Sequence, residues 1–183
     1  GKKPACLADF IADKDDHLGL FWCNAGEGLS ELVARFEADN DSYSALIVTA
    51  LADRFAEGLA EWLHRRVRQQ DWGFAADESL SMDELFAEKY NGIRPAPGYP
   101  ACPDHRHKRI IYRLLEADKI GAELTESCAM TPTASVAGFY FAADEARYFS
   151  IGSIDDEQLA DVAERRRETI KECQRWLAPL LLA

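Results

Sequence analysis

Apolar residues recur along the chain with two different periods, and each period predicts its own kind of element. Near the start, Leu7 to Ala12 and Leu18 to Cys23 are short apolar runs on either side of the charged turn Asp13-Lys14-Asp15-Asp16, which predicts a strand pair. After Gly26-Glu27-Gly28, the residues Leu29, Leu32, Val33 and Phe36 recur at helical spacing, with Ser30 or a neighbour as the cap. A long helix is predicted from about Ser42 to Gln69. At about 100° per residue, Leu51, Phe55, Leu59 and Trp62 form one apolar stripe, and Asp53, Glu57 and His64 fall on the opposite face. Ser81-Met82-Asp83-Glu84 is a capping box, in which the hydroxyl accepts from a free amide and the glutamate reaches back; it starts a helix that ends near Tyr90.

Between Gly92 and Asp104 lie Pro95, Pro97, Pro100 and Pro103, with Gly98 among them. Each proline fixes φ and lacks an amide donor, so this stretch is an extended, stiff loop rather than helix or interior strand. A helix from about His105 to Glu116 follows, its apolar side made by Ile110, Ile111, Leu114 and Leu115. Ser135 to Ala142 and Tyr148 to Ile151 are rich in aromatic and branched residues and flank the turn Ala143-Asp144-Glu145, which predicts a hairpin. A last helix starts near Asp155 and carries Leu159, Val162, Ile170, Trp176 and Leu177. Strands at both ends of a helical middle predict an α+β fold, an antiparallel sheet packed with several helices including one long central helix, because strand and helix do not alternate. With no repeat, low-complexity tract or linker in sight, residues 1–183 read as a single domain.

Composition narrows the function. The 183 residues are 48% hydrophobic, enough for a continuous core, and carry a net charge of −11, which argues against a general binder of nucleic-acid phosphates. No stretch approaches the roughly 18 apolar residues of a membrane-spanning helix, and no long apolar run follows the N-terminus, so no membrane or secretory role is expected. The five cysteines Cys6, Cys23, Cys102, Cys128 and Cys173 form no C-x-x-C pair and fit reduced thiols in a cytoplasm.

Several local patterns carry chemistry when read singly. Leu18 to Cys23 followed by Gly26-Glu27-Gly28 imitates a nucleotide-binding βα turn, but Glu27 would repel a phosphate and no series of βα units follows, so it reads as an ordinary turn. Asp15-Asp16-His17-Leu18-Gly19 comes near the D-x-H-x-x-G sequence by which some corrinoid proteins give an imidazole to cobalt; the glycine falls one residue early, and the segment reads as a solvated turn. Cys102, His105 and His107 offer soft donors without a fourth partner at suitable spacing, and histidines two apart on a helix point in different directions. The basic runs His64-Arg65-Arg66-Val67-Arg68 and His105-Arg106-His107-Lys108-Arg109 are either solvated helix faces or a docking surface for an acidic partner. Asp53 and Glu57 put two like charges on one helix face. Arg94 precedes the stiff loop, where its fork suits a carboxylate, and one of the neighbours Tyr148 and Phe149 must face away from the core, where an aromatic face can meet a sulfonium cation. Together these groups suit a zwitterion that also carries a positive sulfur.

The run Gly92-Ile93-Arg94-Pro95-Ala96-Pro97-Gly98-Tyr99-Pro100-Ala101-Cys102-Pro103-Asp104-His105 resembles the signature of the activation domain of cobalamin-dependent methionine synthase. Ala50-Leu51-Ala52-Asp53-Arg54 with Glu57, Leu124-Thr125-Glu126-Ser127 with Ala129-Met130, and Ala134-Ser135-Val136 with Gly138-Phe139-Tyr140-Phe141 are similar to the same family in the same order, so the likeness runs from about Cys6 to Leu180. The resemblance implies an S-adenosylmethionine-binding α+β module of a 5-methyltetrahydrofolate–homocysteine methyltransferase. Such a module rescues oxidised cob(II)alamin by reductive methylation with an electron from flavodoxin or an equivalent flavoprotein. Cobalamin and zinc would sit in other domains, with the cobalamin domain as a partner, and this part alone would not be catalytic.

Residue by residue, the resemblance implies that Arg94 binds the ligand and that Ala96 and Gly98 line its site through their backbone. Tyr148 matches the first of two adjacent tyrosines at the ligand; Phe149 stands in place of the second and lacks its hydroxyl. Glu57 matches an acidic residue near the ligand and Asp53 one near the face presented to the cobalamin domain. The family domain is longer, so the chain is expected to be its C-terminal part, without an N-terminal stretch that also supplies an acidic ligand contact. The competing expectation is a docking module for flavodoxin or the cobalamin domain that holds no ligand.

Overall fold

The long central helix is organised by its small residues. In the computed structural model, which describes residues 6–181, the Asp41 side chain accepts from the Ser44 amide and caps helix α2 (Ser42–Arg66), which runs on into a π-helical turn at Val67–Asp71. Its buried face is Ala45, Ala52, Ala56, Ala60 and His64, spaced by multiples of about one turn. The stripe expected in the core, Leu51, Phe55, Leu59 and Trp62, faces outward instead, with Phe55 68% exposed. The reason lies in what α2 packs against: Phe21, Tyr140 and Val136 already fill the space beneath it, and only methyl-sized side chains let the helix come down onto them.

Those residues belong to a two-stranded antiparallel sheet of β1 (Gly19–Asn24) and β4 (Ser135–Tyr140), in register from Gly19 opposite Tyr140 to Asn24 opposite Ser135. The second edge of β4 is taken by the proline segment: Ile93 bridges Phe141, and the Phe139 amide donates to the Pro95 carbonyl at 3.0 Å. An edge position suits prolines, which have no donor to give to a further strand. Gly138 permits the approach, because a Cβ there would stand 2.6 Å from the Pro95 oxygen.

This arrangement overturns two expected pairings. Tyr148 to Ile151 is not a strand, since β1 and the proline segment occupy both edges of β4; the stretch is irregular, and its Ile151 amide donates to the Pro100 carbonyl at 3.1 Å. The first apolar run is a 3-10 turn, Leu7–Phe10, closed by the Cys6 amide donating to the Asp9 carboxylate, and it delivers Phe10 edge-on to Phe141 and Phe149.

The remaining helices depart from the expected caps or bounds. Helix α1 (Leu29–Ala38) starts at Gly28, whose positive φ of 71° replaces the expected serine cap. Helix α3 (Met82–Phe86) has the predicted Ser81/Glu84 box but stops before Tyr90. Helix α4 (His107–Leu114) buries Lys108 and Ile111, while Ile110, Leu114 and Leu115 stay exposed. After a 3-10 turn (Ala117–Ile120), β2 (Glu123–Leu124) and β3 (Met130–Thr131) make a minimal hairpin. The single last helix is two, α5 (Asp156–Arg166) and α6 (Ile170–Leu177), because Arg167 turns left-handed at φ 56° and Thr169 caps anew. They enclose a core of their own around Leu159, Ala163 and Cys173. Among the described residues, no helix is long and apolar enough to cross a membrane, and the five cysteines are unbridged.

Candidate ligand groove between the central helix and the proline segment

Helix α2, the proline segment, the start of α4 and β4 surround a groove of about 260 Å³. From α2 come Asp53, Ala56 and Glu57; from the segment, Ala96, Pro97, Gly98 and Tyr99; from the base of α4, His105 and Lys108; from the strand side, Met130 and residues 134–137. Four of the residues singled out in the sequence, Asp53, Glu57, Ala96 and Gly98, therefore meet on one cavity. Glu57 pairs with Arg54 at 3.0 Å in a solvated bridge, which leaves its carboxylate free to exchange partners. Gly98, at φ 104°, lets the chain turn over the His105 ring, which a Cβ would strike at 2.3 Å. The sequence pointed to neither His105 nor Lys108 as a wall of this groove. Lys108 is buried there with its ammonium 3.1 Å from His105 Nδ1 and 3.3 Å from the Cys128 carbonyl, and nothing in a basic run marks which member turns inward.

Arg94 and Tyr148 are not in the wall but stand together beside it. The Arg94 amide donates to the Tyr148 hydroxyl at 3.1 Å, and that hydroxyl lies 3.5 Å from the Tyr90 hydroxyl. The guanidinium of Arg94 reaches back to α2, donating from Nη2 to Glu61 at 2.6 Å, one turn beyond Glu57. Burial opposes the charge on Arg94, yet Glu61 outweighs it and raises the guanidinium pKa further. Phe149 turns the other way, packing on Phe10 at 6.1 Å between ring centres.

The two basic runs are only partly surface: Arg65, Arg66, His105 and Arg109 are exposed, and the others turn inward. His64 and Arg68 are fully buried, and so nearly are Arg106 and Lys108. Arg68 forks onto Glu78 with two bonds of 2.7 Å and stacks over Tyr90. Arg106 holds Asp104 through Nε and Nη2, at 3.0 and 2.8 Å, and also binds Glu168; Arg166 closes on Asp104 at 2.8 Å and on His107 Nε2 at 3.0 Å. This network ties the α5–α6 unit to the end of the proline segment, so a docking role for Arg106 and Lys108 is overturned. It also separates the three soft donors: His107 faces Arg166, His105 faces Lys108, and burial pushes the Cys102 thiol up to about 12.

Beneath Arg94, the His64 ring stacks on Tyr140 at 5.2 Å, and neither of its nitrogens has a partner. Burial first, then the charges of Arg68 and Arg94, lower its pKa to about 2. In the unfolded chain the imidazole titrates near about 6.5. The unfolded state therefore takes up a proton as pH falls through that value while the folded state does not, and stability is lost downwards. Between pH 7 and pH 5 this residue alone is expected to remove about 2 kcal/mol. In urea unfolding at the two pH values, His64→Phe, which keeps the stack, should lose that much less than the parent chain; equal losses would contradict a neutral, dry His64.

The sequence profile described as vitamin B12 dependent methionine synthase, activation domain, matches residues 1–167. A crystal structure of the MetH reactivation domain bound to AdoHcy has the same fold, with a TM-score of 0.93 at 48% identity; the match covers 97% of this chain and 56% of that one. This chain thus spans little more than half the length of that relative. With the profile matching most of its length and the fold agreeing throughout, the chain belongs to the family of activation domains of vitamin B12 dependent methionine synthase.

Proposed function

We propose that this chain binds S-adenosylmethionine in the groove between α2 and the proline segment, as the reactivation module of a cobalamin-dependent methionine synthase. The observation that carries the reading is Arg94, which lies two residues before Ala96 of the groove wall and is pinned by Tyr148 and by Glu61, one turn of α2 beyond the groove residue Glu57. The donor set fits the ligand's charges: a guanidinium for the carboxylate, carboxylates at Asp53 and Glu57 for the positive side of the molecule, and half-exposed Tyr148 for a cation–π contact. The AdoHcy bound to the MetH reactivation domain supports the same ligand class here.

When bound, S-adenosylmethionine supplies the methyl group that captures reduced cobalamin of a neighbouring domain, the electron coming from a flavoprotein. The residues of this chain hold and orient. Arg94 fixes the carboxylate end, the backbone at Ala96 and Gly98 admits close approach, and Asp53, at the groove's rim on α2, faces the cobalamin domain. Phe149 backs Tyr148 through its packing on Phe10 and keeps the segment in place. In the same reading the 183 residues are one unit, the C-terminal part of an activation domain acting in the cytoplasm, and the outward apolar stripe of α2 is a surface that the remainder of that domain covers.

Calorimetric titration of the chain with S-adenosylmethionine tests this. Saturable heat is expected in the parent chain and a weakening of about ten- to a hundredfold in Arg94→Ala, the loss of one charged hydrogen bond. A folded chain that takes up no ligand would sink the reading.

A further inference from the structure

The Arg94–Glu61 pair is left half used. Glu61 accepts from Arg94 Nη2 through Oε2, while its second oxygen, Oε1, is shielded from solvent and has no partner. On Arg94 the mirror situation holds: Nε is shielded and donates to nothing. Both side chains are still about a quarter exposed, 24% and 28%, so the pair is reachable from outside although its two unspent atoms are not wetted. A buried acceptor and a buried donor without partners are costly to keep, and a ligand that satisfies both recovers that cost on binding.

The two unspent atoms want opposite things. Oε1 wants a cationic donor and Nε wants an anionic acceptor, and the two lie within one salt-bridged unit. The α-carbon of an amino acid carries that combination, an ammonium and a carboxylate on one atom. Resting on the proposed S-adenosylmethionine site, we infer that Glu61 is a second head-group residue: Arg94 takes the ligand carboxylate and Glu61 takes the α-ammonium, so that the ion pair reads the zwitterion as a whole. Neither Asp53 nor Glu57 is so placed, because both stand along the groove rather than on the guanidinium. The arrangement makes the site selective for an intact amino-acid tail rather than for any adenosyl thioether.

The inference is tested by removing the charge from each side in turn. The ligands are S-adenosylhomocysteine and 5′-(3-carboxypropylthio)-5′-deoxyadenosine, which is the same molecule without its amino group; the proteins are the parent chain and the isosteric Glu61→Gln. In the parent chain the deaminated ligand should bind about tenfold or more weakly, a comparison that needs no variant to fold. Glu61→Gln should weaken S-adenosylhomocysteine by about the same factor while changing the deaminated ligand less than about twofold, because its missing partner is already gone. Equal weakening of both ligands would mean that Glu61 acts only by steadying Arg94, and tighter binding of both would make it a competitor for the guanidinium; either result overturns the inference and leaves the ligand site standing. Binding of neither ligand to the parent chain would instead bring down the site itself, and the inference with it.

Discussion

Arg106→Ala is expected to lower the free energy of unfolding by about 3–5 kcal/mol, the largest effect of any single side chain in the ion network. The reason is asymmetry. Arg106 is 6% exposed and is the main partner of Asp104, itself 5% exposed; without it a buried carboxylate keeps only Arg166, and Glu168 loses its cation. Burial alone would raise the pKa of Asp104, but the bonds from Arg106 and the charge of Arg166 reverse this and hold it below the usual carboxylate value. Removing Arg106 therefore leaves a charge with its desolvation no longer offset. Arg106→Lys should recover only part of the loss, since an ammonium cannot fork onto Asp104 and reach Glu168 together. Urea unfolding of the three chains measures this; a loss under about 1 kcal/mol for the alanine variant would show that the network is wet and weak in solution.

Arg94→Ala should have its largest effect on function rather than stability. In the complete enzyme it is expected to cut reductive reactivation by about ten- to a hundredfold at subsaturating S-adenosylmethionine, and to leave turnover from already methylated cofactor nearly unchanged. The two activities separate because Arg94 would touch only the methyl donor used in repair. Single-turnover reactivation beside steady-state methionine formation reads both. Equal loss of the two would place Arg94 in the general scaffold and not at a ligand.

Local signals in the sequence were reliable where a few neighbouring residues decide the outcome. The Ser81/Glu84 box needs only its own turn, and the four prolines forbid helix wherever they are placed, so both were legible. The core face of α2 was not, because periodicity counts the large apolar side chains and passes over alanine. Ala52, Ala56 and Ala60 define the buried face only once Phe21 and Tyr140 are known to lie beneath. The hairpin expected from Tyr148 to Ile151 failed for a related reason: its composition suits a strand, but whether an edge of β4 is vacant is decided by Gly19–Asn24 and by Ile93, far away in the chain.

At the candidate site, Glu57, Ala96, Gly98 and Arg94 were singled out through the resemblance; that the first three share one groove while Arg94 stays out of its wall is a product of the fold. Glu61 left no trace in the sequence, being one more acidic residue on a helix that has several. Its signal is three-dimensional, the 2.6 Å contact with Arg94. The basic runs misled in the opposite sense: cations written close together read as surface, yet Arg68, Arg106 and Lys108 turn inward and each finds a partner on another element.

The most direct measurement is a crystal structure of this chain grown with S-adenosylmethionine. The account predicts the ligand carboxylate within about 2.7–3.2 Å of the Arg94 guanidinium, with the rest of the molecule running along the groove between α2 and the proline segment. Ligand density elsewhere, or a carboxylate turned to solvent while Arg94 touches Glu61 alone, would contradict it.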